Sequence, residues 1–135
     1  MGVDLLMRIH HIGYAVKRIE QAAYEFELLG YTKEGNQVVD KERNIKIQFM
    51  SNNNYYIELI TPISNSAPIY NMLKKFGNTP YHICYETKNI EETIKNLTYD
   101  GYVLIEPIKE AKAINNRRVA FLANKDIGII ELVEE

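Results

Sequence analysis

The chain has 135 residues, 46% of them hydrophobic and 25% charged, with a formal net charge of −2 and a single cysteine. This composition is close to the average of folded chains and supplies enough apolar surface for one core, so wholesale disorder and a tandem of independent domains are both excluded as expectations. Its 16 Lys and Arg are balanced by 18 Asp and Glu and form no basic stripe, so no nucleic-acid partner is expected. No apolar run approaches the roughly 20 residues of a membrane span, and residues 1–7 lack the features of a signal peptide. A cytoplasmic protein without a membrane partner is therefore expected. Because Cys84 stands alone, no intramolecular disulfide and no cysteine-cluster zinc site is open to the chain. Any metal would be held by His and carboxylate.

In chain order, residues 9–16 form a short β-branched and aromatic run that predicts a strand. Ile19, Ala22, Ala23, Phe26 and Leu29 then recur at helical spacing on one face, with Gly30 as the stop. Residues 46–50 and 55–61 predict two further strands. Ser66 is placed to cap a short connector helix with Ile69, Met72, Leu73 and Phe76 facing inward, ended by Gly77. A strand is predicted over 81–87 and a helix after it on Ile90, Ile94 and Leu97, with Asn89 and Glu92 at capping-box spacing and Gly101 as its stop. Residues 119–122 and 127–133 read as strands.

The strongest signal in the sequence is a duplication. Residues 11–31 align with 82–102 without a gap at an offset of 71, and eight of the 21 pairs are identical: His11/His82, Ile12/Ile83, Tyr14/Tyr85, Lys17/Lys88, Ile19/Ile90, Glu20/Glu91, Gly30/Gly101 and Tyr31/Tyr102. The segment 47–50 pairs with 119–122 at offset 72, and 57–60 pairs with 130–133 at offset 73. Each copy reads as strand, helix and several strands, and one copy of roughly 65 residues buries too little surface to stand comfortably alone. The expectation is a single domain over 1–135, with one module at about 8–63, the connector at about 66–76 and a second module at about 79–134. The two sheets are expected to pack or join about a pseudo-twofold axis.

Four duplicated polar residues lie in these strands: His11 and Glu58, His82 and Glu131. A strand needs no His or Glu for its own stability, and a buried carboxylate is costly unless paired. Two carboxylates and two imidazoles drawn to one centre by the pseudo-twofold are reconciled by a divalent cation, with nickel, cobalt, manganese, iron and zinc all compatible with such donors. Glu42 has no carboxylate counterpart, since offset 72 places Ile114 there. A group present on one side only suits chemistry on an asymmetric substrate. Arg8, Arg117 and Arg118 are candidates to hold a substrate anion, with a solvated turn the plainer reading for them. His10 is expected to point away from His11, Cys84 to be a small buried side chain, and Tyr55, Tyr56 and Tyr70 to line a pocket or belong to the core or its rim.

The strings HHIGYAV at 10–16, IELITP at 57–62, APIYNMLKK at 67–75 and YHICYE at 81–86 resemble the vicinal oxygen chelate superfamily, and within it most of all methylmalonyl-CoA epimerases. The resemblance spans roughly residues 8–134. It implies an α+β fold of two tandem βαβββ modules forming a cupped, pseudo-twofold mixed sheet around a metal site. It places His11, Glu58, His82 and Glu131 on metal-ligand positions, a set also similar to that of glyoxalase I, and Glu42 on the position of the catalytic base. Tyr81 departs from the second His that epimerases often carry. The resemblance implies one divalent metal per site, with nickel, cobalt or zinc favoured over manganese and iron. It also implies a homodimer and a lyase or isomerase that removes a proton beside the carbonyl of a thiol hemithioacetal or acyl-CoA thioester, with Glu42, or a displaceable ligand carboxylate, Glu131 or Glu58, moving the proton. A metal-free module that sequesters small molecules is the alternative from another class, and an extradiol-type dioxygenase is the less favoured enzyme.

Overall fold

A computed structural model describes residues 7–135. The first six residues, which belong to the segment considered above for a signal peptide, lie outside the described residues. The chain divides into two compact units, His11–Tyr81 and the remainder. Among the described residues no helix is long and apolar enough to cross a membrane.

In the first unit β1 (Arg8–Ala15), α1 (Ile19–Leu28), β2 (Thr32–Asp40), β3 (Ile45–Asn52) and β4 (Tyr55–Pro62) follow the expected βαβββ order. β2, β3 and β4 pair antiparallel in sequence, and β4 pairs parallel with β1, in the register Gly13 to Glu58. The parallel step is the βα crossover, and α1 covers one face of the sheet by burying Ile19 and Ala23 against Val16, Met50, Ile57 and Leu59. Ala22 and Phe26 complete this packing while partly exposed. Leu29, expected on the same face, is 69% exposed because α1 ends one residue before it. Gly30 then takes φ +100, the left-handed stop that the sequence predicts.

The connector helix α2 (Pro68–Phe76) also belongs to this unit. Its N-cap is Ala67, with Pro68 opening the helix, and no side chain caps it. Ser66, expected as the cap, instead receives the Asn44 side-chain amide at 2.8 Å. Ile69 and Leu73 are buried as expected, whereas Phe76 is 66% exposed at the last helical turn.

The second unit repeats the plan with β5 (Thr79–Thr87), α3 (Ile90–Tyr99), β6 (Val103–Ala111), β7 (Arg117–Asn124) and β8 (Gly128–Glu134), a short 3₁₀ turn at Lys112–Ile114 joining β6 to β7. β6, β7 and β8 pair antiparallel, and β8 pairs parallel with β5 in the register Cys84 to Glu131. Ile90, Ala120, Leu122, Ile130 and Leu132 form its buried cluster, with Ile94 and Leu97 packed on it. Asn89 caps α3 by accepting the Glu92 N–H at 3.0 Å. Both modules are therefore βαβββ with mixed sheets, as the duplication predicts.

Candidate functional site

Strand alternation decides which polar residues turn inward. His11, Gly13 and Ala15 share one buried face of β1, and His82 and Cys84 do the same on β5. Glu58 lies in the wholly buried run 57–60 and Glu131 in the wholly buried run 130–133. All four candidate ligands are at most 5% exposed.

Within the first unit His11 Nε2 lies 3.3 Å from Glu58 Oε1. Two neighbours make room for the pair and orient it. Gly13 stands beside Glu58 in the β1–β4 register and presents no side chain there, while Phe49 faces Glu58 across β3–β4. The Phe49 ring meets the His11 ring edge to face, centroids 5.2 Å apart at 90°.

The second unit builds its pair in the same way. His82 Nε2 lies 3.0 Å from Glu131 Oε1. Cys84 stands beside Glu131 in the β5–β8 register, and Phe121 faces it across β7–β8. The Phe121 and His82 rings are again edge to face, 5.3 Å apart at 87°. The aromatic and the small residue were open to recognition in the sequence, since Phe49 aligns with Phe121 and Gly13 with Cys84, but their roles depend on cross-strand register.

Each pair offers one imidazole nitrogen and one carboxylate oxygen, the donors that first-row divalent cations and zinc accept. Burial raises the cost of leaving the carboxylates without a positive partner. The residues present therefore fit a divalent metal.

Glu42 lies exposed on the turn between β2 and β3 and makes no hydrogen bond or ion pair with a described residue. Its turn is nonetheless well fixed. Asp40, 5% exposed, accepts the Arg43 backbone N–H at 3.1 Å and its guanidinium at 3.2 Å. Asn44 takes φ +61 and binds the Ser64 and Ser66 hydroxyls. From Ile45 to Phe49, the residue facing Glu58, β3 runs four residues, roughly 13 Å of strand. The structure thus keeps Glu42 out of bonding contact with the His11–Glu58 pair.

Arg117 and Arg118 take no part as free anion holders. Arg118 binds Glu91 through both terminal nitrogens and also binds Glu134, and Arg117 binds Glu86 and the Glu134 carbonyl. Their Glu partners are distant in sequence, which is why the sequence left them as candidates. His10 is half-buried, with Nε2 3.5 Å from Arg117, and Arg8 is exposed at the start of β1. Cys84 is fully buried, as expected. Tyr55 and Tyr56 are exposed around the β3–β4 turn, whereas Tyr70 lines a cleft of the first unit.

The sequence profile of the Glyoxalase/Bleomycin resistance protein/Dioxygenase superfamily matches residues 10–121. The chain is 27% identical over 130 residues to the uncharacterized protein YqjC of Bacillus subtilis, covering 94% of this chain and 91% of that one. It is 25% identical over 131 residues to the ethylmalonyl-CoA/methylmalonyl-CoA epimerase of Cereibacter sphaeroides, covering 95% and 98%. Its fold is similar to the crystal structure of methylmalonyl-CoA epimerase from Mycobacterium tuberculosis, with a TM-score of 0.85 and 23% identity, over 99% of this chain and 91% of that one.

Proposed function

The chain belongs to the Glyoxalase/Bleomycin resistance protein/Dioxygenase superfamily, and from that premise we propose that it is a divalent-metal-dependent isomerase of the methylmalonyl-CoA epimerase type. It moves a proton on the carbon beside the thioester carbonyl of an acyl-CoA. The observation that carries this is the twice-built buried His–Glu pair, each with an aromatic edge against its imidazole. The similarity to the Cereibacter epimerase supports the acyl-CoA over the hemithioacetal alternative.

In this reading His11, Glu58, His82 and Glu131 hold one cation together. When bound, the cation supplies positive charge against the negative charge that develops at the substrate carbonyl as the proton leaves. The protein does the rest. Phe49 and Phe121 restrict the imidazole rings, and burial of both pairs keeps bulk water from competing for the donors. Glu42, unpaired on its fixed turn, is the carboxylate proposed to take the α-proton, and Glu131 moves a proton only while it is not a ligand.

Exchange of the substrate α-proton with deuterated solvent tests these roles. Glu42→Gln should keep the metal content of the parent protein and lose exchange by about a hundredfold or more. Exchange retained at the parental rate would remove Glu42 from the reaction.

A further inference from the structure

The duplication provides an internal comparison at the helix starts. In the second unit, the Ile90 N–H at the start of α3 donates to Glu134 Oε2 at 3.0 Å, and Arg118 binds the same carboxylate. By the offsets that align the copies, Glu134 corresponds to Thr61 and Arg118 to Lys46. The first unit therefore keeps the cation and lacks the carboxylate.

A cleft of about 460 Å³ opens at that place, lined by Lys17, Arg18, Glu20, Gln37, Lys46 and Thr61 among others. A second cleft of about 440 Å³ shares Lys17, Thr61, Pro62 and Ile63 with it and adds Tyr70 and Lys74. Lys17, Arg18, Lys46 and Lys74 are exposed and form no ion pair with a described residue. The one carboxylate of the first cleft, Glu20, is already held by Lys33 at 3.0 Å and Gln37 at 3.2 Å. Four uncompensated cations around one groove contrast with Arg117 and Arg118, which are satisfied by glutamates.

The backbone at the groove's edge is held by hydrogen bonds. The Lys17 backbone N–H donates to Asn78 Oδ1 at 2.9 Å, and the Lys17 carbonyl accepts the Thr61 hydroxyl at 3.0 Å. No side chain caps α1, so its first amides add to the positive field. Ile63 and Tyr70 give the adjoining cleft apolar wall beside Lys74.

We propose that this groove binds the phosphate groups of an acyl-CoA, an exogenous anion taking the place that the Glu134 carboxylate takes in the second unit. The acyl-CoA identity rests on the epimerase reading, while the phosphate chemistry follows from the cations. Thr61 lies three residues beyond Glu58 on β4, roughly 10 Å of strand, and strand alternation turns it with Ile57 and Leu59 to the α1 side of the sheet, opposite Glu58, so an acyl-CoA joining groove and His11–Glu58 pair would pass round the end of β4.

Titration calorimetry at low salt with free coenzyme A, pyrophosphate and pantetheine tests the proposal on four proteins: the parent, Lys17→Ala/Lys46→Ala, Thr61→Glu, and Lys125→Ala as an exposed charge control. Thr61→Glu installs the carboxylate that the second unit carries. Coenzyme A should bind the parent and the control alike, and weaken at least about tenfold in the other two, with pyrophosphate following and pantetheine indifferent. Equal coenzyme A binding by all four proteins, or none by the parent, would overturn it. Pyrophosphate binding without coenzyme A binding would overturn the acyl-CoA assignment. The epimerase assay separates the two readings. Groove-dependent coenzyme A binding without epimerisation sinks the activity alone, and epimerisation whose KM is unmoved by Lys17→Ala/Lys46→Ala sinks the groove alone.

Discussion

Glu134 shows how much a single carboxylate is asked to hold at the close of β8. The Ile90 backbone N–H, and after it the Arg118 guanidinium, hold its carboxyl below the ordinary value of 4.5, and Arg118 does the same for Glu91. A carboxylate whose folded pKa is depressed contributes stability that is fully present above the unfolded value and is lost as pH falls through the folded one. Thermal unfolding should therefore show a larger advantage of the parent over Glu134→Gln at pH 6 than at pH 3, the two midpoints converging on acidification. The effect is small because these side chains meet solvent. A difference that does not change with pH would contradict this account of the network. At the same scale, His11, Glu58, His82 and Glu131 were legible in the sequence because they interrupt apolar runs at duplicated places. Arg117 and Arg118 were not, since Glu86, Glu91 and Glu134 become their partners only through the fold.

Helices and inner strands followed from spacing, whereas the edge strands did not. β3, β4, β7 and β8 carry buried runs of apolar residues that announce themselves. β2 and β6 are exposed along most of their length, carry Gly35 and Pro107, and pair with register shifts, so neither shows a clean alternation to read. Ser66 and Phe76 depart from the sequence expectation for a related reason: a cap depends on which hydroxyl reaches an amide, and the last turn of a short helix need not meet the sheet. Of the three α-helices among the described residues, α3 alone has a side-chain cap. Asn89→Ala should accordingly cost about 1 kcal/mol in urea unfolding, and Arg18→Ala should cost nothing attributable to capping. Equal losses would show that the Asn89 bond does not support α3.

For the whole molecule, the duplication places the same four residue types, His, Glu, Phe and a small neighbour, at matched positions of both modules, and this repetition is the basis of the functional account. The buried cluster around Leu132, which has no exposed surface, supports the Glu131 strand, and Leu132→Ala should cost about 2 to 5 kcal/mol in equilibrium unfolding. A cation held by the His–Glu pairs stabilises only the folded state that binds it, so chelation should lower the melting temperature of protein purified with metal, and added nickel or cobalt should restore it. The most direct test is transition-metal content per chain, measured by elemental mass spectrometry on untagged protein purified without chelator. The account predicts close to one divalent transition metal per chain in the parent, lost in His11→Ala and in His82→Ala. No bound metal, and no uptake of added nickel or cobalt, would contradict it.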